Sequence, residues 1–417
     1  MPALVLLCLA LSGPATAHAQ WPGLEGGPAR AEEAVQRGWM LAAEERFREA
    51  ERAFRSALRD DPDSASAALG LGVALEALGR RAEAVAAFEQ AVRLRPRFAE
   101  AHYNLGTALE RAGRLEEAAA ALTRAAELRP AYALAHYNLG VVFSRLGRPE
   151  GAARAFERVL AIDPRDMNAQ ANLAGAYARR GRFDDALAAY ERVLSARPES
   201  VEALYGIAWT LALAGRFEEA AGASERALAL RPDHVPARVT LALAHAGVGR
   251  YRQAVAAFEE ALRRQPENAD ALAGLGRTLA NLGRWKDAME ALRKASALRP
   301  ADAGLLVTLG EACARAERLD EAADALSRAL ALAPGNEEAR FQLALVQIDR
   351  GRRDDALAAL RAVLRASPRH AAARYNLGLT LLGAGDAAGA RGELRALEEI
   401  DPNLAEQLRL RVDAGRP

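Results

Sequence analysis

Residues 99–132 read AEAHYNLGTALERAGRLEEAAAALTRAAELRPAY, and this stretch decides the fold. Its apolar residues recur with helical spacing in two blocks, which predict one helix over 99–112 and a second over 115–129. Gly113-Arg114 forms the turn between them. Pro130 ends the second helix, because proline has no N–H to donate and its ring clashes with the preceding turn. The stretch is therefore a helix–turn–helix unit.

The same unit recurs along the chain with a fixed period. Prolines stand 34 residues apart, and a period of this length indicates a repeat array. When this proline is numbered position 32, eleven units begin at residues 31, 65, 99, 133, 167, 201, 235, 269, 303, 337 and 371. The prolines are Pro28, Pro62, Pro96, Pro130, Pro164, Pro198, Pro232, Pro266, Pro300, Pro334, Pro368 and Pro402.

Three positions of the unit hardly vary in type. Position 8 is always glycine or alanine. Because glycine inside a helix costs about 1 kcal/mol against alanine, its recurrence predicts the close approach of a partner helix. Position 24 is mostly bulky and apolar, as at Phe54, Phe88 and Phe156. Position 20 is alanine in all eleven units, at Ala50, Ala84, Ala118, Ala152, Ala186, Ala220, Ala254, Ala288, Ala322, Ala356 and Ala390.

With this pattern the chain resembles the tetratricopeptide repeat family. The small residues at positions 8 and 27, alanine at 20, the bulky residue at 24 and proline at 32 match that family over about nine-tenths of the chain. The family's tryptophan at position 4 is absent, and Arg37, Glu45 and Asp386 depart from the pattern in the terminal repeats. Such irregularity is expected, because a terminal repeat has only one neighbour. The resemblance implies an all-α fold, a right-handed α-solenoid superhelix of eleven helix pairs.

The N-terminal segment predicts export. Residues 4–11 are apolar, and Ala17-His18-Ala19 precedes Gln20 in the pattern of a signal-peptidase site. We therefore expect a signal peptide over 1–19 and a periplasmic or secreted protein, or a cytoplasmic one if this segment is not a functional signal. No later uncharged run is long enough to span a bilayer.

The predicted boundaries of the remaining segments follow from the 34-residue period. Residues 20–30 are predicted to form a linker, 31–404 the eleven repeats, and 405–417 a capping helix with a short tail. Leu404, Leu408 and Val412 provide the apolar face of that helix. Pro149 and Pro236 fall at positions 17 and 2, where a first helical turn tolerates proline.

Several classes of function are disfavoured. The formal charge is +1, from 56 basic and 55 acidic residues, so no basic excess exists to bind nucleic acid. The repeats leave no segment for a catalytic domain, and we expect neither an enzyme nor a cofactor. The six histidines lack the spacing of metal ligands, and Cys313 takes a core position. The carboxylate pairs Glu116-Glu117, Asp184-Asp185 and Glu218-Glu219 lie in first helical turns, where negative charge suits the helix dipole.

The function is then expected on a surface. Each helical residue turns by about 100°, which places positions 3, 4, 7, 8, 10, 11 and 14 of a first helix on one side and positions 2, 5, 6, 9, 12 and 13 on the other. The first set is mostly small or apolar, whereas the second varies. The resemblance implies that this second set, here called the inner face, lines a groove for extended peptides or partner helices.

Two ladders mark the inner face in the middle of the chain, asparagine at position 6 and arginine at position 13. The asparagine amide suits a peptide backbone, and arginine can bind a carboxylate with two parallel hydrogen bonds. Aromatic residues at positions 5 and 9 are favoured interface anchors. The alternative is that asparagine is simply common at position 6 and the arginines are solvated. The predicted binding residues are Tyr103, Asn104, Arg111, Tyr137, Asn138, Arg145, Asn172, Arg179, Tyr205 and Trp209.

The array is most similar to the repeat region of O-linked N-acetylglucosamine transferases, which also carries an asparagine ladder. This chain has only that half, so transferase activity is not carried over. The favoured function is a non-catalytic scaffold that binds an extended peptide or a partner protein, whose identity is left open. One alternative is a structural assembly factor of an envelope complex for secretion, pili or exopolysaccharide, acting through the outer face and ends. Another is a subunit that presents substrate to a separately encoded glycosyltransferase.

Overall fold

The computed structural model describes residues 28–414. The predicted signal peptide and residues 20–27 of the predicted linker lie outside the described residues. Within 28–414 the chain forms 23 α-helices and no strand, so the all-α prediction is confirmed.

The helices alternate between the first and second members of each repeat. The first helices are α1 (Ala29–Ala43), α3 (Ala65–Ala77), α5 (Ala99–Arg111), α7 (Ala133–Arg145), α9 (Met167–Arg179), α11 (Val201–Leu213), α13 (Val235–Gly247), α15 (Ala269–Asn281), α17 (Ala303–Arg315), α19 (Glu337–Asp349) and α21 (Ala371–Gly383). The second helices are α2 (Phe47–Asp60), α4 (Arg81–Leu94), α6 (Leu115–Leu128), α8 (Pro149–Ile162), α10 (Phe183–Ala196), α12 (Phe217–Leu230), α14 (Tyr251–Arg264), α16 (Trp285–Leu298), α18 (Leu319–Leu332), α20 (Arg353–Ala366) and α22 (Ala387–Glu398). A last helix, α23 (Pro402–Asp413), follows the repeats.

The turn inside each pair is set by position 15. In the described part of the chain, nine glycines there have φ between 68° and 83°, in the left-handed region that glycine enters without a steric penalty. The residue after the turn then donates its N–H back to the first helix, as Arg114 does to the carbonyl of Leu109 at 2.9 Å. This arrangement satisfies the last carbonyls of the helix and reverses the chain.

The chain divides into two compact units, Met1–Thr210 and Leu211–Pro417, which are described separately. In the first unit each helix from α1 to α10 packs against the next one along the chain. In the second unit the same holds from α12 to α23. Because each helix contacts its sequence neighbours, the packing is that of a solenoid of helix pairs.

Positions 8, 20 and 24 form the contact inside a pair. All eleven position-20 alanines are fully buried, with 0% exposure. A Cβ built on Gly106 would lie 2.6 Å from Cγ of Leu122 and 3.2 Å from the carbonyl oxygen of Ala118. The predicted close approach of the partner helix is therefore confirmed.

The prolines fit the ends of the helices. Pro149 is the first residue of α8 and Pro236 the second of α13, in agreement with the prediction. Helix α1 begins at Ala29, two residues inside the predicted linker. The reason is that the Pro28 carbonyl accepts hydrogen bonds from the N–H groups of Ala31 and Glu32.

The last helix, α23, packs on both helices of the eleventh repeat. It begins at Pro402, earlier than the predicted residue 405, because the side chain of Asp401 accepts hydrogen bonds from its first turn. Leu408 is fully buried, and a Cβ on Gly378 would lie 2.6 Å from its Cδ2. Leu408 thus fills the space that position-24 side chains fill in other repeats. Across residues 28–414, no helix combines the length and the apolar character needed to cross a bilayer.

Candidate functional site

The predicted binding residues lie in the first unit, on four consecutive first helices of which the last, α11, reaches the boundary at Thr210. Helices α5 and α7 each carry a tyrosine, an asparagine and an arginine at positions 5, 6 and 13. Helix α9 carries Asn172 and Arg179, and α11 carries Tyr205 and Trp209. Helices α5, α7 and α9 contact one another in sequence.

The asparagine amides bond within the chain. Asn138 donates to the hydroxyl of Tyr103 at 3.3 Å, and Asn172 donates to the hydroxyl of Tyr137 at 3.0 Å. Both bonds join position 6 of one repeat to position 5 of the repeat before it. Asn104 has a leucine, Leu69, at that earlier position and donates instead to the carbonyl of Glu100 at 2.8 Å. Two of the three donors that were expected to meet a peptide backbone, Asn138 and Asn172, therefore tie successive repeats together.

The three inner-face arginines differ in whether they form an ion pair. Arg111 forms an ion pair with Glu76, and Arg145 with Glu110, each at position 12 of the preceding repeat. The third arginine, Arg179, has Ser144 at that place, and the Ser144 hydroxyl donates to the carbonyl of its own Gly140. Arg179 makes no ion pair with a described residue. Its guanidinium carbon lies 5.6 Å from the centre of the Trp209 ring, within the range of a cation–π contact.

The aromatic residues differ in exposure. Tyr103 is only 5% exposed, and its ring lies 5.0 Å from that of Tyr132. Burial raises the pKa of Tyr103, although hydrogen bonds with Thr107 and Asn138 oppose the rise. Tyr137 and Trp209 are half-buried. Tyr103 and Asn104 are thus buried instead of facing an open groove, while the part of the inner face nearer Trp209 stays accessible.

Models of the tetratricopeptide repeat match the sequence over nearly the whole described length. One model matches residues 35–87, 76–133, 116–166, 137–186, 171–235, 239–303 and 341–405. A second tetratricopeptide repeat model matches residues 283–340 and 314–363. The chain belongs to the tetratricopeptide repeat family. Proteins of this family are generally non-catalytic scaffolds that bind protein or peptide partners.

Solved tetratricopeptide repeat structures resemble the chain. MamA shares 30% sequence identity, covers 38% of this chain and 92% of its own, and has a TM-score of 0.36. YrrB, described as a TPR protein with an unusual peptide-binding site, shares 24% identity, with coverage of 44% and 95% and a TM-score of 0.42. A tetratricopeptide repeat protein from Parabacteroides merdae shares 17% identity, with coverage of 60% and 100% and a TM-score of 0.46. At TM-scores this low the likenesses carry no argument about function. No curated protein matches the sequence.

Position 4 of the tetratricopeptide repeats has a structural role that the sequence analysis missed. Nε2 of His102 lies 3.0 Å from the carbonyl oxygen of Pro96, and Nε2 of His136 lies 3.1 Å from that of Pro130. Arg238 and Arg374 reach the equivalent proline carbonyls in their own repeats. A donor at position 4 therefore anchors the loop before each of these helices. A side chain that can donate a hydrogen bond, placed six residues after the repeat proline, is a sequence pattern that would have predicted these contacts.

The remaining histidine, cysteine and acidic side chains have structural roles. Among residues 28–414 no group of three or more histidine, cysteine or acidic residues is placed to hold a metal ion. Cys313 is buried as predicted, and burial raises the pKa of its thiol to about 11. Hydrogen bonds from Arg114 lower the pKa of Glu117, and those from Arg216 lower the pKa of Glu219. These carboxylates are therefore held ionised at first helical turns, unlike general acids.

The ion pairs that two of the inner-face arginines form with glutamates were also not predicted from the sequence. Glu76 and Arg111 stand 35 residues apart, as do Glu110 and Arg145. The hydrogen bonds from Asn138 to Tyr103 and from Asn172 to Tyr137 span the same interval. A separation of one period plus one residue joins neighbouring first helices, and a search at that spacing would have found all four pairs.

Proposed function

We propose that the protein is a non-catalytic scaffold that binds an extended peptide or a helix of a partner protein on the inner face of its first unit. The observation that carries the proposal is the half-buried Trp209 on this face, which leaves an aromatic surface open to a partner. Large aromatic side chains dominate the binding energy of many interfaces, because they bury much area at little entropic cost. Membership of the tetratricopeptide repeat family supports the same function.

The inner face offers different chemistry along its length. Toward α5 the polar groups already bond to one another, as in the pair of Tyr103 and Asn138. Toward α9 and α11, Asn172 and Arg179 are exposed. We therefore place the main contact of the partner at the α9 and α11 end, with the remaining predicted residues extending the surface.

Photo-crosslinking tests the proposal. Trp209 is replaced by the photo-reactive residue benzoylphenylalanine in the full chain, and the crosslinked products from the native host are identified by mass spectrometry. Trp285 is the matched control, because it also stacks with an arginine, Arg315 at 5.6 Å, but begins a second helix. We expect one partner segment to crosslink at position 209 and not at 285. Equal crosslinking at both positions would contradict the proposal.

A binding measurement completes the test. Trp209→Ala combined with Tyr205→Ala is expected to lower recovery of the crosslinked partner at least tenfold, because a central aromatic anchor contributes about 2 kcal/mol or more. Trp285→Ala is expected to leave recovery unchanged. Recovery that persists in the double variant would favour an assembly factor that uses its outer face or ends.

We also propose that the protein is exported, on the strength of the apolar run over 4–11 and the Ala17-His18-Ala19 motif. The mature chain should then begin at Gln20. N-terminal sequencing of protein purified from periplasmic and extracellular fractions checks this. Recovery of the intact N-terminus from the cytoplasm alone would contradict it.

A further inference from the structure

We propose that α23 of one copy of the protein docks into a groove between α1 and α2 of a second copy, so that the chains associate head to tail. The groove belongs to the first unit and α23 to the second, and the residues that line the groove lie outside the inner face. The inference is therefore independent of the proposed function.

The groove between α1 and α2 is rich in positive charge. It has a volume of about 550 Å³, and four arginines and two glutamates line it. The side chains of these arginines make no ion pair or hydrogen bond with another residue of the described range 28–414. They are Arg30, Arg37, Arg52 and Arg59.

The four arginines stand in two pairs across the groove. Each helix carries two of them seven residues apart, which is two helical turns or about 10 Å along the axis. Helices α1 and α2 pack on each other and are joined by a short turn, so they run antiparallel. Arg30 therefore lies level with Arg59, and Arg37 lies level with Arg52.

The two glutamates leave most of this positive charge in place. Glu49 accepts hydrogen bonds from Arg46, which lies outside the lining, at 2.7 and 2.8 Å. These hydrogen bonds are the main cause of its lowered pKa, and the charges of Arg52 and Arg37 contribute to the lowering. Glu49 is thus ionised but already paired. Among the lining residues, Glu33 alone remains to offset the four arginines.

Arg37 is a departure from the repeat pattern that the inner face does not explain. Position 7 is leucine or isoleucine in the other ten repeats. A terminal repeat needs a polar face for solubility, but interspersed charges of both signs satisfy that need. The excess of arginine goes beyond it and favours an acidic occupant.

The exposed face of α23 carries complementary groups. Glu406 and Asp413 are exposed and stand seven residues apart, the same interval as the arginines of each groove helix. Leu410 lies between them and is 63% exposed, more than any other large apolar side chain of residues 28–414. Glu406 also pairs with Arg409 at 2.6 Å, but so exposed an ion pair contributes little and can exchange partners.

The intervals match when α23 lies along the groove, because one acid then faces each arginine pair. Leu410 falls between the pairs, where Ala34 and Ala53 line the groove and their small side chains leave room for it. Met40 stands one turn beyond Arg37 on α1 and is 57% exposed, second only to Leu410 among the large apolar side chains of residues 28–414. It extends the apolar contact.

The contact joins different surfaces of the two copies. Each bound chain keeps one free groove or one free α23, so association can continue beyond a dimer. A single short helix in a groove buries less area than a standard interface, and we expect a dissociation constant in the micromolar range. Because the contact relies on exposed ion pairs, salt should weaken it.

Sedimentation velocity of the purified full chain tests the proposal. One variant reverses the groove, with Arg37→Glu and Arg52→Glu, and another reverses the helix, with Glu406→Arg and Asp413→Arg. We expect the wild type to associate as its concentration rises from about 1 to about 200 μM, and less at about 500 mM than at about 50 mM NaCl. Each reversal should weaken this association at least tenfold.

The matched control combines Arg158→Glu with Arg192→Glu. Both arginines are exposed, on α8 and α10, and the double change alters the net charge as much as the groove reversal does. The control should associate as the wild type does. An equal loss in the control would overturn the proposal, because net charge and not the groove would then govern association.

Mixing the two reversed variants provides the decisive measurement. An equimolar mixture should associate like the wild type, since the reversed helix of one variant meets the reversed groove of the other. Recovery also shows that both variants are folded. Failure to recover, in variants whose circular dichroism matches the wild type, would overturn the proposal.

A single change gives an independent test. Leu410→Asp places a charge at the centre of the exposed face of α23, and it should weaken self-association at least tenfold. Unchanged association of this variant would overturn the proposal. A wild type that stays monomeric up to about 200 μM would do so as well, and would leave the groove to residues 20–27 of the same chain or to another protein.

Discussion

Glu45 and Glu317 occupy turns that the other repeats give to glycine. Their φ angles are 57° and 62°, in the left-handed region. Residues with a Cβ pay about 1–2 kcal/mol there, because the Cβ approaches the following carbonyl oxygen. The departure at Glu45 was predicted from the sequence, whereas the one at Glu317 was not. Both keep the conformation because the surrounding helix pair fixes the turn.

Replacing Glu317 by glycine should remove this strain and raise stability by about 1 kcal/mol. The reciprocal change Gly283→Ala, at φ 72° in another repeat, should lower it by a similar amount. Thermal unfolding followed by circular dichroism checks both variants. A lower midpoint for Glu317→Gly would show that the glutamate side chain stabilises its turn.

His102 illustrates how position 4 ties a helix to the preceding loop. Its ring lies beside the carbonyl oxygen of Pro96, and the ring nitrogen must donate because the carbonyl can only accept. Desolvation lowers the pKa of His102 from its ordinary value of 6.5, the hydrogen bond to Pro96 opposes this, and the charge of Arg124 adds to the lowering. The folded protein therefore favours the neutral ring.

Stability should consequently depend on pH through His102. Because the folded pKa lies below the unfolded one, the stabilisation is fully present above pH 6.5 and is lost as pH falls through the folded pKa. His102→Gln should keep the donor and reduce the fall, since Gln170 occupies the same position of another repeat. Thermal midpoints at pH 7.5 and 5.5 for the two proteins measure the difference. An identical decrease of the thermal midpoint in the two proteins would show that His102 does not cause the pH dependence.

At the scale of the element, the sequence predicted the helices well. The helices expected over 99–112 and 115–129 are α5 (Ala99–Arg111) and α6 (Leu115–Leu128). The agreement is close because each boundary is encoded locally, by a glycine that enters the left-handed region and a proline that ends the second helix. The small residues at positions 8 and 20 likewise predicted where the two helices of a pair contact each other.

Ala186 tests that contact. It is fully buried in α10, so Ala186→Leu should overpack the pair and cost about 1–3 kcal/mol. Ala188→Leu is the matched control, since Ala188 is exposed on the same helix. Chemical denaturation of both variants gives the comparison. An unchanged transition for Ala186→Leu would show that the repeat positions are misassigned.

At the scale of the molecule, the helices within each unit pack on their sequence neighbours, so the stability of each unit is a sum of local terms. The last repeat of such an array exposes an apolar face to solvent unless another helix packs on it. In the second unit α23 is that helix, with Leu408 against Gly378 in place of a further repeat. The sequence predicted this cap from the spacing of Leu404, Leu408 and Val412.

Leu408→Ala should therefore loosen the end of the array. Removing a fully buried leucine costs about 2–5 kcal/mol, and the loss of hydrogen-exchange protection should concentrate in α21, α22 and α23. Leu410→Ala on the same helix is the control, because Leu410 is 63% exposed. Mass-spectrometric exchange locates the effect. Equal loss of protection across the first unit would contradict a nearest-neighbour array.

The sequence by itself determined the period, the helix pairs and the residues that meet inside each pair, because turn, stop and contact all recur within one unit of 34 residues. It also placed the inner face. Only the tertiary structure decided which inner-face groups are engaged, since Asn138 and Arg145 find their partners on the preceding repeat. Those bonds depend on how one first helix lies against the next, and that geometry left Arg179 without an acid.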